Sequence, residues 1–409
     1  METFDVIVVG GGPAGSSCAR TLVRGGARVA VVDRATFPRV KLCAGWISAP
    51  IWDVLGLAPR EYPAGLWPWQ TCHVHFRGRA HTVSCKGWFI RRVELDDFLL
   101  RTSGASVHTG VAVKNVERDA DGFWQVGALR ARHLVGAAGT HCPIARMLAP
   151  PRPMGPVGVQ ELELPLAPDA IARTRIGDNG EPELLLHDDL RGYAWNIPKT
   201  DWLNVGVGTL DPGEVRAAWT EARAHFDRLG HLPAEAATPL EHVKGHSYYL
   251  FHPDHLDGAA RADADGKGGV YLAGDALGLA QPLTAEGILP ATLSGRLIGE
   301  AILAGAPASY PARLRAHPVL DDYRRVYRAR HAVSKLRRGN SNADGHGVGN
   351  GNGNGDSNGD GHAKHGESRL ARYAGSAVAT GFAWMFSGAR VPAPRLVDLA
   401  LSAVERSRS

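Results

Sequence analysis

The amino-acid sequence predicts an α/β fold: a parallel sheet flanked by helices, an inserted antiparallel β-sheet domain and a C-terminal helical tail. The first observation is a buried apolar strand over Phe4–Val9, followed by a glycine-rich turn and a helix over Ala14–Arg24. The second is an apolar strand over Ala27–Arg34, which completes a strand–helix–strand unit. The third is a β-like pattern with scattered tryptophans over Val157–Leu210. Together they indicate a Rossmann-like domain interrupted by a β-rich one.

Later segments return the chain to the parallel sheet. Apolar strands are predicted over Arg132–Cys142 and Gly268–Gly278. Helices are predicted over Val93–Leu100 and from about Glu286 to Leu303, and Ala105–Val126 is predicted to form strands joined by an Asp-Gly turn. The Rossmann-like domain is therefore discontinuous in sequence, because a β-rich domain lies between its pieces.

The predicted domain boundaries follow these segments. They are 1–75, 90–155 and 262–310 for the discontinuous Rossmann-like domain, 76–89 and 156–261 for the β-rich substrate domain, 311–338 for a helical segment, 339–366 for a flexible linker and 367–409 for two C-terminal helices. The linker is glycine-rich and cannot bury enough apolar surface to offset its ordering entropy. Tyr373–Phe386 is too short to span a bilayer, which favours a packing helix over a membrane anchor.

Composition and charge exclude several classes of protein. The chain has 409 residues, 44% hydrophobic and 21% charged, as expected of a globular enzyme with two or three domains. A formal charge of +5 is too small for a nucleic-acid interface, although it could favour an acidic cofactor or an anionic membrane surface. The 5 cysteines are scattered, so neither disulfides nor a zinc site is expected. Without a signal peptide or a membrane span, we expect a cytoplasmic protein, with peripheral membrane contact left open.

The glycine turn after the first strand has the pattern GxGxxG. Gly10 allows the tight turn, Gly12 lets the backbone approach a pyrophosphate, and Gly15 permits close packing of helix on strand. The helix N-terminus then presents amide hydrogens and its positive dipole end to the phosphates. Asp33, at the end of the second strand, is placed to accept hydrogen bonds from a ribose diol. The pattern predicts a dinucleotide site but does not separate FAD from NAD. Neighbouring residues expected at this site are Pro13, Ala14 and Arg34.

A second stretch distinguishes the two cofactors. "VYLAGDALGLAQPLTAEGILPATLSG", Val270 to Gly295, resembles the second FAD fingerprint of the para-hydroxybenzoate hydroxylase superfamily. The resemblance implies a GR2-type FAD-binding domain in which Asp275 binds the ribityl or pyrophosphate part of FAD, while Gly287 and Ile288 begin a helix aimed at the flavin. Such a helix start would stabilise negative charge on reduced flavin. "RRVELDDFL" matches the superfamily's Arg-x-x-Leu-Asp helix and implies that Arg92 lies near the cofactor.

The same resemblance extends the predicted cofactor site and shows one departure. Superfamily members often carry Asp-Gly in the strand before the inserted domain, whereas this chain has Ala138-Gly139, with Cys142 where a Ser is common. The departure argues against the nicotinamide-handling role usually attached to that Asp. Further residues expected at the cofactor are Lys41, Cys43, Val113, Gly139 and Gly274.

Two local stretches point to one branch of the superfamily. "FPRVKLCAGWIS", Phe37 to Ser48, resembles the Pro-x-x-Lys-x-Cys-Gly-Gly loop of the geranylgeranyl reductase family. "GYAWNIPKTDWLNVGVG", Gly192 to Gly208, resembles that family's Tyr-x-Trp-x-Phe-Pro-Lys strand. The resemblance implies reduction of a carbon–carbon double bond by hydride transfer from flavin N5. It also implies that Tyr193 and Trp195 line an apolar pocket and that Cys43 lies close to the flavin.

Each predicted catalytic residue has a simpler interpretation. Tyr193 and Trp195 could be core aromatics of a sheet, and Cys43 could be a small buried hydrophobe. Lys41, two residues away, would lower the pKa of that thiol if it pointed toward it. Glu286 could relay a proton or could simply be an acid at a helix start. Two departures from the family pattern, Ala44 and Trp46, add bulk beside the expected substrate channel. A third departure is Ile197 in place of Phe, and the substrate therefore need not be a long prenyl chain.

Three other functions stay open at this point. An aromatic hydroxylase of the superfamily would tend to have His where this chain has Leu277. A flavin halogenase would have Trp where this chain has Tyr193 and Gly-Glu-Ser where it has Cys43–Gly45. A flavoprotein that binds FAD without turnover is the third alternative.

The expected partners follow from the preferred function. They are an apolar small-molecule substrate, FAD, and NADPH or a reduced carrier protein as electron donor. The oligomeric state is not predicted. No metal site is predicted either, because the histidines of the glycine-rich linker lack a preorganised geometry; they are His346, His362 and His365.

Overall fold

The computed structural model of the chain describes residues 1–174, 181–236, 243–341 and 369–386. It confirms the predicted mixed α/β architecture, with one largely parallel sheet flanked by helices and a separate, largely antiparallel sheet. Within the described residues, none of the helices combines the length and apolar character that crossing a bilayer requires.

The helices and strands are numbered in chain order. The α-helices of the described residues are α1 (Pro13–Arg24), α2 (Pro50–Leu55), α3 (Arg92–Arg101), α4 (Pro143–Leu148), α5 (Pro168–Thr174), α6 (Val215–Arg228), α7 (Ile288–Leu303), α8 (Tyr310–Ala316), α9 (Pro318–Ser341) and α10 (Arg369–Phe386). The strands are β1 (Glu2–Val9), β2 (Val29–Asp33), β3 (Trp46–Ile47), β4 (Trp67–Phe76), β5 (Arg79–Phe89), β6 (Ser106–Thr109), β7 (Glu117–Arg118), β8 (Trp124–Val126), β9 (Leu129–Gly136), β10 (Val157–Pro165), β11 (Glu183–Leu186), β12 (Gly192–Lys199), β13 (Trp202–Thr209), β14 (Lys244–Tyr248), β15 (Ala260–Ala262) and β16 (Gly269–Leu272).

The first sheet carries the predicted strand–helix–strand unit. Its order is β15-β16-β9-β1-β2-β6, with the β7–β8 hairpin attached to β9. All neighbours from β16 to β6 are parallel. Val6–Val9 and Val29–Val32 are almost fully buried, in one core with residues of α1 and α7. Continuous apolar runs are therefore favoured in these strands, because helices cover the sheet.

The second sheet alternates its side chains between two apolar layers. Its order is β14-β10-β13-β12-β11-β4-β5-β3, antiparallel except for the β11–β4 pair. Ala194 faces a cluster formed with α6, whereas its neighbour Trp195 faces a cluster that includes Ala379 and Phe382 of α10. This period of two is what a sheet with both faces covered requires.

One predicted domain boundary is wrong. The boundary at residue 75 assigned β3 and nearly all of β4 to the Rossmann-like domain, but both strands belong to the second sheet. The reason is a hairpin: β4 turns through Arg77 and Gly78, which both have positive φ, and pairs along its length with β5. Two strands joined by a tight turn stay in one sheet.

The structure describes part of the C-terminal segments that the sequence predicts. Helix α9 continues through Ser341, so the first residues of the predicted 339–366 linker are helical. The rest of that linker, with its histidines, lies outside the described residues. Of the two C-terminal helices predicted over 367–409, α10 is present, and residues 387–409 also lie outside the described part of the chain.

Candidate active site

A cavity of about 1060 Å³ is lined by both sheets. One part lies at the carboxyl ends of β1 and β2, where Gly10 and Asp33 lie on its wall. The other part lies against the second sheet and includes Tyr193 and Trp195 of β12. Ligands of open α/β sheets bind at the carboxyl ends of the strands, which makes this cavity the candidate active site.

The glycine turn is built for close backbone approach. Gly10 has φ +112°, and a Cβ there would overlap the backbone of Ala137 on the neighbouring strand. A Cβ at Gly15 would overlap the carbonyl oxygen of Gly10, so only glycine lets α1 pack against β1 here. Asp33 holds the turn from outside: its carboxylate accepts hydrogen bonds from the Gly11 amide at 2.7 Å and the Ala35 amide at 2.8 Å.

The start of α1 is available to an anion. Gly12 is the N-cap residue, Pro13 is the first helical residue, and no described side chain caps this end of the helix. Uncapped amides and the helix dipole favour a phosphate group at this position. The glycine turn and the uncapped helix start therefore fit the pyrophosphate of FAD.

A buried cluster of two guanidinium groups and one carboxylate adjoins this turn. Arg92 donates to Asp96 at 2.7 and 2.9 Å, and Arg39 lies 3.1 Å from the same carboxylate. Burial alone would lower the pKa of Arg92, but the Asp96 carboxylate outweighs it and raises that pKa. Burial lowers the pKa of Lys41, which also lines the cavity. The excess of positive groups suits a phosphate-bearing cofactor.

The second fingerprint reaches the cavity from the other side. Gly274 has φ +60° and donates its amide to Ser294 at 3.0 Å, which turns Asp275 into the cavity wall. Gly287 is the N-cap of α7, and Ile288 is its first residue. Both line the cavity.

The aromatic pair of β12 forms an apolar wall. The Tyr193 hydroxyl donates to the Thr284 carbonyl at 2.5 Å, and the Trp195 indole donates to Asn204 Oδ1 at 2.6 Å. Their rings lie 5.8 Å apart, and the Tyr193 ring lies 5.2 Å from Phe382. Burial raises the pKa of Tyr193. Both polar tips are therefore satisfied by protein partners, which leaves the rings to contact an apolar ligand.

Cys43 and Glu286 also lie in the cavity wall. The Cys43 amide donates to Glu161 Oε1 at 2.5 Å, and its half-buried sulfur accepts from the Gly45 amide at 3.3 Å. Glu286 accepts from the Ser48 hydroxyl at 2.9 Å. Burial raises the pKa of Glu286 to about 7, so this carboxyl can exchange a proton near neutral pH.

The structure brings almost all of the predicted site residues to one cavity. Two do not line it: Gly15 packs α1 on the turn, and Gly274 shapes the turn before Asp275. The predicted residues that line the cavity are Gly10, Gly12, Pro13, Ala14, Asp33, Arg34, Lys41, Cys43, Arg92, Val113, Gly139, Tyr193, Trp195, Asp275, Glu286, Gly287 and Ile288. Their individual roles stay predictions.

Sequence reasoning missed several lining residues. Glu161 follows Val157 and Val159 at a period of two, so a charged residue at an inward position was a signal in the sequence. His246 lies opposite Val159 on β14, and burial lowers its pKa to about 3. Phe382 arrives from α10, for which no motif existed.

The glycine turn and the apolar cavity lie in one site, and similarity to named reductases supports an FAD-dependent oxidoreductase. The pyridine nucleotide-disulphide oxidoreductase family matches residues 4–45, which hold β1, α1 and β2. That match covers the glycine turn and Asp33.

Two relatives are similar to this chain over most of its length. Menaquinone reductase of Mycobacterium tuberculosis is 28% identical over 348 residues, which cover 73% of this chain and 76% of that protein. Digeranylgeranylglycerophospholipid reductase 1 of Methanopyrus kandleri is 28% identical over 331 residues, which cover 73% of this chain and 80% of that protein. These relatives confirm the predicted resemblance to the geranylgeranyl reductase-like FAD-dependent oxidoreductases.

Solved structures share the fold. A geranylgeranyl bacteriochlorophyll reductase-like protein from Thermoplasma acidophilum has a TM-score of 0.54 at 18% identity, covering 81% of this chain and 84% of that one. PqsL from Pseudomonas aeruginosa, a probable FAD-dependent monooxygenase, has a TM-score of 0.55 at 21% identity, covering 76% of this chain and 91% of that one. The fold is therefore common to reductase-like proteins and monooxygenases.

Proposed function

We propose that this chain reduces a carbon–carbon double bond of an apolar biosynthetic substrate, of isoprenoid or related character. The observation that carries the proposal is the continuity of the cavity from the glycine turn to an apolar wall. Apolar residues of that wall are Val157, Val159, Leu190, Leu250, Leu283 and Phe382. An apolar wall that reaches the cofactor part of the site favours an apolar reacting group.

The residues of the cavity would have separate roles in the proposed reaction. FAD, when bound and reduced, supplies a hydride. The rings of Tyr193 and Trp195 exclude water from the reacting bond and orient it, because their polar tips are already held by Thr284 and Asn204. The Cys43 loop lines the cavity, and Asn204, which accepts from the Trp195 indole, donates to the Cys43 carbonyl at 3.4 Å.

The named relatives support reduction. One is a reductase of menaquinone and the other a reductase of a digeranylgeranyl glycerophospholipid. The bulk of Trp46 favours a shorter or bent substrate here, since its ring is held 4.5 Å from Trp69 and 5.1 Å from Phe89 and also lines the cavity. The electron donor would be NADPH or a reduced carrier protein.

The test is anaerobic. The purified flavoprotein is reduced, and candidate alkenes, quinones and aromatic compounds are added without oxygen while the flavin absorbance is followed. Reoxidation by an alkene supports the proposal. Reduced flavin that persists with every compound until air is admitted contradicts it and favours a monooxygenase, the function given for PqsL, or a halogenase. Flavin that reoxidises with nothing but air, without product, indicates a protein that only binds FAD.

A further inference from the structure

A buried carboxyl at the centre of the cavity wall has no part in the function proposed so far. Glu161 lies on β10, opposite Gly206 of β13. Its residue is 2% exposed, and it lines the same cavity as Cys43 and Tyr193. A charged residue at an inward strand position costs free energy unless it is partnered or neutralised.

Only one of the two Glu161 oxygens is satisfied by the protein. Oε1 accepts from the Cys43 amide at 2.5 Å and from Asn204 Nδ2 at 3.5 Å. Oε2 is buried and finds no hydrogen-bond partner among the described residues. Asn204 is itself held by the Trp195 indole at 2.6 Å, so the carboxyl is fixed in orientation. A buried oxygen without a donor is expected to carry a proton of its own or to await a ligand.

Burial favours the neutral form of Glu161, although most of its neighbours oppose this effect. Burial is the largest influence and raises the pKa of Glu161 to about 7, while the Cys43 amide and Lys199 oppose it. The Lys199 ammonium donates to Glu163 Oε1 at 2.9 Å. The negative charge of Glu163 also raises the pKa of Glu161. The remaining titratable groups that act on Glu161 are Lys41 and Tyr248.

Two other groups that could donate a proton line the cavity. The Tyr193 hydroxyl gives its proton to the Thr284 carbonyl at 2.5 Å. Glu286 is tied to the Ser48 hydroxyl at 2.9 Å. Glu161 differs from both because one of its oxygens is fully buried and has no hydrogen-bond partner in the described part of the chain.

We propose that Glu161, which lines the cavity, is the acid that protonates the substrate. Its proton is held on Oε2, which is occluded and has no partner among the described residues, until rotation of the carboxyl presents it to the bound substrate. The inference rests on the proposed function, double-bond reduction in this cavity. In the step, the π bond of the alkene breaks and two C–H bonds form. The reduced cofactor, as two-electron donor, supplies the hydride for one carbon, and the Glu161 O–H supplies the proton for the other. Glu161 is left as a carboxylate and regains its proton from water.

The first test needs no turnover. Infrared spectra of the holoenzyme are recorded from about pH 5 to about pH 9, and the C=O band of a protonated carboxylic acid is followed. We expect a band that is lost near neutral pH in wild-type protein, is smaller by the Glu161 contribution in Glu161→Gln and is unchanged in the exposed-residue control Glu221→Gln. The Glu286→Gln variant identifies the part of the band that comes from Glu286, whose pKa is also raised to about 7. A spectrum of Glu161→Gln identical to that of wild type overturns the proposal.

The second test measures reoxidation of the reduced enzyme by an alkene without oxygen. Glu161→Gln keeps an acceptor for the Cys43 amide but has no acidic proton, so we expect a loss of about 10²- to 10⁴-fold. Glu161→Asp, which retains an acid, is expected to recover part of the rate, and Glu221→Gln is expected to match wild type. The FAD content of each variant shows whether it is folded. If Glu161→Gln does not fold, the rate of Glu161→Asp is compared with that of the wild-type enzyme instead.

The two failures are distinguishable. A normal rate in Glu161→Gln overturns the assignment of the acid and leaves double-bond reduction intact. Absence of reoxidation in the wild-type enzyme overturns the proposed function, and the assignment of Glu161 fails with it.

Discussion

Two carboxyls of the cavity wall make this molecule sensitive to pH. Burial raises the pKa of both Glu161 and Glu286 from the ordinary 4.5 to about 7. Between these values the folded chain binds more protons than the unfolded chain. The free energy of unfolding therefore falls as pH rises through this window, and the stabilisation is fully present below about pH 4.5.

Glu161→Gln should flatten this pH dependence. One pKa unit is worth about 1.4 kcal/mol, so the Glu161 carboxyl accounts for roughly 3 kcal/mol lost between about pH 4.5 and pH 8. We expect the variant to lose less stability over that range, as measured by denaturant unfolding of the FAD-loaded protein at fixed FAD concentration. Glu221→Gln, exposed on α6, serves as the control. Parallel curves for the variant and wild type would contradict the raised pKa.

Gly15→Ala should disrupt the cofactor turn. Its Cβ would overlap the Gly10 carbonyl oxygen, which forces α1 away from β1. Overpacking of this kind costs about 1–3 kcal/mol, so FAD affinity should fall about tenfold or more, as measured by titration of the flavin-free protein. Gly155→Ala is the matched control, because a Cβ there meets nothing within 4 Å. Equal FAD affinities for the two variants would contradict the role of Gly15 in shaping the cofactor turn.

At the level of elements, α10 completes the cavity. Ala379, Phe382 and Ala383 pack in one cluster with strands of the second sheet, and Phe382 reaches the Tyr193 ring at 5.2 Å. The helix is therefore a wall of the substrate part of the site and is distant in sequence from everything else there.

Phe382→Ala should affect the substrate and spare the cofactor. Loss of the contact with Tyr193 and of buried ring area opens the apolar wall, and KM for an apolar substrate should rise about tenfold. FAD content should stay at the wild-type level, because no part of the glycine turn changes. Ser376→Ala, on the exposed side of α10, is the control. A variant with unchanged KM and reduced FAD content would contradict the assignment of α10 to the substrate part.

Elements with a local signal could be predicted from the sequence. The strand–helix–strand unit β1–α1–β2 has apolar runs and glycines that specify it locally, and α3 is found one residue from each predicted end. The sheet that β4 joins could not be predicted, because it depends on the pairing of β4 with β5 and β11 rather than on the residue pattern of β4 itself. Local sequence predicts that a strand exists better than it predicts which sheet it joins.

At the scale of the whole molecule, the site depends on contacts between distant segments. Cys43 meets Glu161 across 118 positions, and Ser48 meets Glu286 across 238. Motifs identified Cys43 and Glu286 separately, but the pairing with Glu161 required the fold. The cofactor half could be predicted because its motifs are local; the substrate half could be predicted only where the family resemblance covered it.

The two halves together support the proposed reduction. The first sheet supplies a turn that fits FAD, and the second supplies an apolar wall with fixed aromatic rings and the buried carboxyl of Glu161. Neither half alone would bring a hydride and a proton to one double bond. The central claim is therefore that both reach the same substrate in this single cavity.

The most direct measurement is the mass of the product from one anaerobic turnover. Reduced enzyme is mixed with one equivalent of an apolar alkene, and the product is analysed before air is admitted. The account predicts a product that has gained two hydrogen atoms across the double bond. A substrate that stays unchanged without air, and gains an oxygen or halogen atom once air is admitted, would contradict it.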